Sequence, residues 1–134
     1  MKHFNLIIIS IFTVFIATSC KKQTAVSTDN SSRKVKFILY TDKDFSADNN
    51  TIVFKVSIQK TSNQVLWDST FAPMKIKDIP NSLHKLVIEK AVPGNDSSDL
   101  KVGFYYTITN VGNSWFLDLS PSGETFKEIS YNFQ

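Results

Sequence analysis

The chain has 134 residues, with 15 Lys and Arg, 12 Asp and Glu, and a formal net charge of +3. Three of the basic residues, Lys2, Lys21 and Lys22, precede the region 33–134, in which twelve basic and eleven acidic residues nearly cancel. The positive charge is therefore no footprint of nucleic-acid binding, and we expect no nucleic-acid partner. The region 33–134 is long enough for one domain with a single modest core.

The N-terminus has the three parts of a secretory signal. A positively charged start is followed by a mostly apolar run at residues 6–17, and small residues stand just before Cys20. The apolar run is shorter than the roughly twenty residues that a membrane-spanning helix needs. We therefore predict a cleaved signal peptide over residues 1–19 and no permanent membrane helix.

Cys20 is the only cysteine of the chain and directly follows Ala17-Thr18-Ser19. This segment resembles the signal of bacterial lipoproteins, in which small or aliphatic residues end in the modified cysteine. The resemblance implies a diacylglycerol on the Cys20 thiol, cleavage before Cys20, and an amino group that is usually acylated as well. Leucine is commonest where Ala17 stands, and Ala17 with Ser19 also suits ordinary signal peptidase. A secreted soluble protein is therefore the alternative.

Residues 20–32 are polar and lack an apolar period, which predicts that the cysteine is followed by a flexible tether. Two or more acyl chains hold a protein stably on a bilayer. The Ser-Cys-Lys-Lys sequence with its Ser/Thr/Asn-rich tether is similar to small lipoproteins of the Bacteroidetes. In those proteins an acidic run after the cysteine is associated with surface export, and Lys21 and Lys22 stand there instead. The resemblance implies an outer-membrane lipoprotein facing the periplasm, with the cell surface as the alternative.

Apolar and polar residues alternate repeatedly in the region 33–134. In residues 51–60 the even positions from Ile52 to Ile58 are apolar and the positions between them are mostly polar, which predicts a half-buried strand. Similar patterns predict further strands at 34–39, 65–67, 74–77, 85–89, 101–109, 115–119 and 125–133. The predicted core residues are Phe37, Phe54, Val56, Ile58, Leu86, Ile88, Phe104, Tyr106 and Ile108. In the last strand Phe126 is out of phase with Ile129, which predicts a bulge near Lys127 or Glu128.

Turn residues such as Gly, Pro, Asn and Asp separate these runs, and no stretch has a sustained helical period. We therefore predict an all-β fold: a single antiparallel β-sandwich of seven or eight strands, of immunoglobulin-like or similar Greek-key type. The disulfide of immunoglobulin domains is missing because the domain contains no cysteine. An up-and-down barrel is the second choice, since its interior would have to be filled or hold a ligand.

The domain lacks the residue sets of common catalytic sites. His84 is its only histidine and it has no thiol, which excludes His/Cys zinc sites and Cys-His nucleophile pairs. No glycine-rich phosphate loop is present. His84 is in phase with Leu86, so we expect it at the rim of the core or within it. We predict that the protein is not an enzyme.

Five aspartates in two predicted loops form a candidate metal site, namely Asp42, Asp44, Asp48, Asp96 and Asp99. Hard oxygen ligands at alternating loop positions suit Ca²⁺. If each predicted strand reverses the chain, the loops at 42–50, 91–99 and 120–124 lie together at the end opposite the tether. The alternative is that these aspartates stabilise ordinary turns.

Aromatic residues suggest a candidate ligand site. Five of them could stack on sugars, namely Tyr40, Phe45, Trp67, Tyr105 and Trp115. Tyr105 lies with Gly103 on the predicted exposed face, and it is our candidate ligand-binding residue. The 11 phenylalanines indicate a core built from aromatics, so we expect the two tryptophans to be packed.

The sequence thus predicts a lipid-anchored, non-enzymatic β-sandwich that presents loops or a sheet edge to an envelope protein or a glycan. One alternative is a carbohydrate-binding or small-ligand-binding module, which would show an exposed aromatic platform or an open cavity. The other is a Ca²⁺-dependent adhesion-like domain, which would show converging aspartates.

Overall fold

The computed structural model describes residues 32–92 and 97–134. These residues form eight strands, which are β1 (Arg33–Tyr40), β2 (Thr51–Lys60), β3 (Val65–Thr70), β4 (Met74–Lys75), β5 (Leu86–Val92), β6 (Leu100–Ile108), β7 (Gly112–Ser120) and β8 (Phe126–Asn132). A short 3₁₀ helix, Ile76–Asp78, follows β4. The predicted signal peptide, Cys20, nearly all of the tether and Asp96 lie outside the described residues. In the described part of the chain, no helix is long and apolar enough to cross a membrane.

The strands form two sheets. The smaller sheet has the order β5-β1-β8, and the larger one has the order β3-β2-β6-β7, with β4 also paired to β2. Neighbouring strands are antiparallel except β1 and β8, which pair in parallel. The predicted all-β sandwich is therefore confirmed, and its strand number lies at the upper end of the expected range.

The core lies between the two sheets and is built largely from aromatic and β-branched side chains. Phe37 of β1 meets Phe104 of β6 edge-to-face, with ring centroids 5.8 Å apart. Five of the predicted core residues are fully buried, namely Phe37, Phe54, Val56, Ile58 and Phe104. The other four pack against this core and are half-buried, namely Leu86, Ile88, Tyr106 and Ile108. The first two of these lie on β5, an edge strand, where the facing sheet covers less of each side chain.

The predicted bulge in β8 is absent. β8 stays in unbroken register with β1 from Phe126, opposite Lys34, to Asn132. Phe126 is out of phase with Ile129 because its side chain lies on the outer face of the sheet, where it is 49% exposed. A register shift occurs instead in β2, between Ile58 and Gln59, where it pairs with β3.

The two short strands β3 and β4 do not reverse the chain between them. Both pair antiparallel with β2, so both run in the same direction along its edge. The expectation that every strand reverses the chain is therefore wrong from β4 onward, and each later loop lies at the opposite end from the predicted one.

Hydrogen bonds show which loops share an end of the sandwich. At the start of β1, the Arg33 guanidinium donates to the Ser98 carbonyl at 3.1 Å, and the Lys34 N–H donates to the Thr125 carbonyl at 2.9 Å. The loop 42–50 follows the other end of β1. The prediction that the three acidic or turn-rich loops lie together is therefore wrong.

Candidate functional site

The outer face of the larger sheet carries a solvent-open cleft of about 380 Å³. Its lining includes Lys55, Ser57 and Gln59 of β2, Tyr105 and Thr107 of β6, and Trp115 of β7. We call it the Tyr105–Trp115 cleft. It forms on this face because successive side chains of a strand point to opposite sides, and the even positions of β2 from Phe54 to Ile58 fill the core.

Two aromatic residues border the cleft on neighbouring strands. Tyr105 lies directly opposite Lys55 of β2 on one side and Trp115 of β7 on the other. Directly opposed residues of an antiparallel pair place their side chains on the same face. Trp115 is 66% exposed, so the expectation that it is packed is wrong. Its indole is an apolar surface open to a ligand.

Trp67 is packed, as was expected of both tryptophans. It is half-buried, and its ring centroid lies 6.1 Å from that of Phe37. Tyr40 and Phe45 also lie elsewhere: the Lys85 ammonium lies 4.4 Å from the Tyr40 ring centroid, and Phe45 packs in the core cluster. Of the five predicted platform residues, only Tyr105 and Trp115 come together.

A hydrogen bond fixes the position of the Tyr105 ring. Gln59 Nε2 donates to the Tyr105 hydroxyl at 2.5 Å. Gln59 is opposite Lys101 in the β2–β6 register, so the bond spans the intervening pair of Ser57 and Gly103. The ring therefore extends along the sheet over that pair. This explains why Ser57 is only 2% exposed although it is on the solvent side of the sheet.

Gly103 makes this arrangement possible. It has no side chain on the face along which Tyr105 extends toward Gln59. A Cβ atom at Gly103 would also lie 2.0 Å from the backbone oxygen of Phe116 on β7. Glycine thus allows β7 to approach closely and brings Trp115 beside Tyr105.

Polar groups surround the aromatic pair. Lys55 Nζ forms an ion pair with Asp68 Oδ2 of β3 at 2.6 Å, and both side chains are 42% exposed. The Thr107 hydroxyl donates to Asn113 Oδ1 of β7 at 2.7 Å. Sequence alternation predicted the polar face of β2. The sequence did not indicate which residues of the other strands would stand beside it.

The aspartates of the loop 42–50 make local turn contacts. Asp44 Oδ1 accepts a hydrogen bond from the Ser46 N–H, and Asp48 Oδ1 accepts one from the Asn50 N–H, both at 2.9 Å. The hydrogen bond from the Ser46 backbone lowers the pKa of Asp44 from its ordinary value. Both contacts have the geometry of Asx turns, which stabilise connecting loops.

The predicted five-aspartate site does not assemble. Asp42 Oδ2 accepts from Asn132 Nδ2 at 3.0 Å near the end of β8, whereas Asp99 Oδ1 accepts from the Ser122 N–H at 2.8 Å at the opposite end of the sandwich. Asp96 lies outside the described residues. Within residues 32–92 and 97–134, no three acidic, histidine or cysteine side chains lie close enough to hold a metal ion.

His84 lies in an exposed turn, neither in the core nor at its rim. Its backbone N–H donates to Asn81 Oδ1 at 3.1 Å, and its ring Nδ1 lies 3.2 Å from the same oxygen. The phase that it shares with Leu86 does not bury it, because β5 begins only at Leu86.

No family model matches this chain, and comparisons with curated proteins and with solved structures find no match.

Proposed function

We propose that this protein is a lipid-anchored, non-enzymatic binding module of the cell envelope, and that it binds carbohydrate in the Tyr105–Trp115 cleft. The observation that carries the proposal is the Trp115 indole, which is 66% exposed on a sheet face and borders an open cleft. An exposed aromatic indicates a ligand site when it borders a cleft in which polar groups converge, and Trp115 is the most exposed of the large aromatics among the described residues. A pyranose ring presents an apolar C–H face to such an indole and hydroxyl groups around its edge.

The polar lining complements a sugar's hydroxyl groups. The Tyr105 hydroxyl accepts from Gln59 and keeps its own proton, which it can donate to a ligand oxygen. Its position is fixed before a ligand arrives, and such preorganisation reduces the entropy lost on binding. Few polar groups in a mostly prearranged cleft are typical of small-ligand sites.

The anchor part of the proposal rests on the leader sequence and Cys20. β1 begins at Arg33, directly after the polar tether that the sequence predicts. Twelve or so extended residues reach at most about 40 Å, so the domain would stand clear of the lipid headgroups. We place the protein at the outer membrane facing the periplasm, where envelope glycans are accessible to the cleft.

A protein partner is the second candidate, because β7 is an edge strand of the larger sheet. It carries one charged residue, Asp118, and exposes Trp115 and Leu119. Edge strands without protective charges are suited to pairing with a strand of another chain. Such a partner would contact β7 through its backbone, whereas a sugar would depend on side chains of the cleft.

Glycan binding can be tested on the purified mature protein. Binding to an array of neutral and acidic oligosaccharides should be followed by titration calorimetry of the best ligand. We expect Trp115→Ala to weaken binding by about five- to 150-fold, since loss of a stacked aromatic costs on the order of 1–3 kcal/mol. Phe126→Ala is the matched control, because Phe126 is 49% exposed on the other sheet. Absence of any glycan ligand, or equal losses in both variants, would contradict the proposal.

A further inference from the structure

The Tyr105–Trp115 cleft carries no uncompensated charge. Lys55 is the only charged residue among the described residues that line it. Asp68 lies opposite Ser57 in the β2–β3 register, two pair positions from Lys55, and its carboxylate binds the Lys55 ammonium at 2.6 Å. The remaining polar lining is made of hydroxyl and amide groups.

Lys101, a nearby cation outside the cleft, also has a hydrogen-bond partner. Lys101 lies opposite Gln59 in the β2–β6 register, and its ammonium donates to Asn63 Oδ1 in the turn after β2 at 3.2 Å. That contact directs the Lys101 side chain toward the turn, away from the Trp115 side of the cleft. Lys55 is therefore the cation that a ligand in the cleft would meet first.

The charge balance discriminates between ligand types. An acidic sugar carries a carboxylate, sulfate or phosphate, and such groups form their strongest hydrogen bonds with charged donors such as Lys and Arg. Here the Lys55 charge is already neutralised, and an approaching anion would be repelled by the Asp68 carboxylate. Neutral hydroxyl groups need neither a free cation nor the disruption of this ion pair.

We infer that the cleft selects uncharged sugars over acidic ones, and that Asp68 sets this preference by holding Lys55. The inference rests on the proposed function and names its ligand class. Asp68 acts as a specificity-determining residue, because it controls the availability of the Lys55 ammonium without itself stacking on the sugar.

The test uses two oligosaccharides of equal length and linkage, one built from neutral hexoses and the other from the corresponding uronic acids. Their dissociation constants are measured for the full mature protein and for Asp68→Asn, which removes the carboxylate charge at nearly constant shape. Wild type should prefer the neutral ligand. Asp68→Asn should shift the ratio of the two constants toward the acidic ligand by about three- to fivefold, the size expected for an exposed ion pair, and added salt should reduce the shift.

Lys55→Gln provides a second, opposite variant. It removes the cation and leaves the Asp68 carboxylate, so it should increase the preference for the neutral ligand. A wild-type preference for the uronic acid ligand, or an unchanged ratio in Asp68→Asn, overturns the inference while glycan binding stands. Failure of both oligosaccharides, with no other sugar bound on the array, overturns the proposed function itself.

Discussion

Gln59 and Tyr105 are 46 positions apart in the sequence, and a 2.5 Å hydrogen bond joins the Gln59 amide to the Tyr105 hydroxyl on the solvent side of the larger sheet. The bond spans the register pair of Ser57 and Gly103, and both of its residues line the cleft. The proposed binding surface is thus a preformed feature of the sheet.

Tyr105→Phe should test this bond. The aromatic ring would remain, but Gln59, which is only 8% exposed, would lose a hydrogen-bond partner. We expect a loss of about 1–3 kcal/mol in the free energy of unfolding, because a buried donor left unpaired retains its desolvation cost. Urea denaturation measures the change. Unaltered stability would show that the bond does not fix the ring in solution.

The face assignment of β2 can be tested with two adjacent residues. Phe54 is fully buried, so Phe54→Ala should lower the free energy of unfolding by about 3–5 kcal/mol. Lys55 lies on the cleft face with its side chain 42% exposed, and Lys55→Ala should cost less than about 1 kcal/mol. Chemical denaturation of both variants checks the contrast. Equal costs would contradict the register.

Gly103→Ala should destabilise the pairing of β6 with β7. The added methyl group would lie 2.0 Å from the Phe116 backbone oxygen, so the strands would have to separate. We expect a loss of about 1–3 kcal/mol, as for other overpacked sites. Gly112→Ala is the control, because φ is positive at both glycines while no heavy atom lies within 4 Å of a Cβ at Gly112. Similar melting temperatures for the two variants would exclude a steric cause.

Tyr131 should make the fold sensitive to high pH. Burial raises the pKa of Tyr131 above its ordinary value of 10.0, and the hydrogen bond from its hydroxyl to that of Tyr106, at 3.3 Å, adds to the effect. Because the folded-state pKa is raised, this contribution to stability is complete below about pH 10 and is lost as the pH rises through the folded value. The melting temperature should therefore decrease less between pH 9 and pH 11 in Tyr131→Phe than in wild type. Parallel declines would contradict this assignment.

Cys20→Ala tests the anchor in cells. Without the thiol, the lipoprotein peptidase has no lipidated substrate, so the variant should accumulate unprocessed or appear in soluble form. Fractionation and intact mass spectrometry of the mature wild-type protein are the measurements. A wild-type mass corresponding to an unmodified thiol would contradict lipid attachment.

The predicted features that the structure confirms depend on local sequence pattern. The alternation in 51–60 identified β2 and its buried face because neighbouring side chains of a strand point to opposite sides regardless of the partner strand. Turn residues between apolar runs likewise located the strands. The same reasoning predicted that Tyr105 lies on the exposed face of the sheet. It also predicted that Lys55 and Phe54 lie on opposite faces of β2.

Features that depend on pairing between distant strands required the tertiary structure. Only residues 71–73 separate β3 from β4, and both strands run in one direction because both pair with the same edge of β2. This reverses every later loop and separates Asp42 from Asp99. Nor does composition determine which tryptophan is buried: Trp67 packs against Phe37, whereas Trp115 lies on the outer face of an edge strand.

The amino-acid sequence by itself thus determined the strand positions and the core face of β2, since both depend on residues adjacent along the chain. Lipid attachment at Cys20 is predicted from the same kind of local pattern and stays a prediction. Only the tertiary structure decided that Gln59, Tyr105 and Trp115 share one cleft. Their meeting depends on the register of β2, β6 and β7. β2 and β6 pair although three strands separate them in the chain, so no turn between them fixes their register.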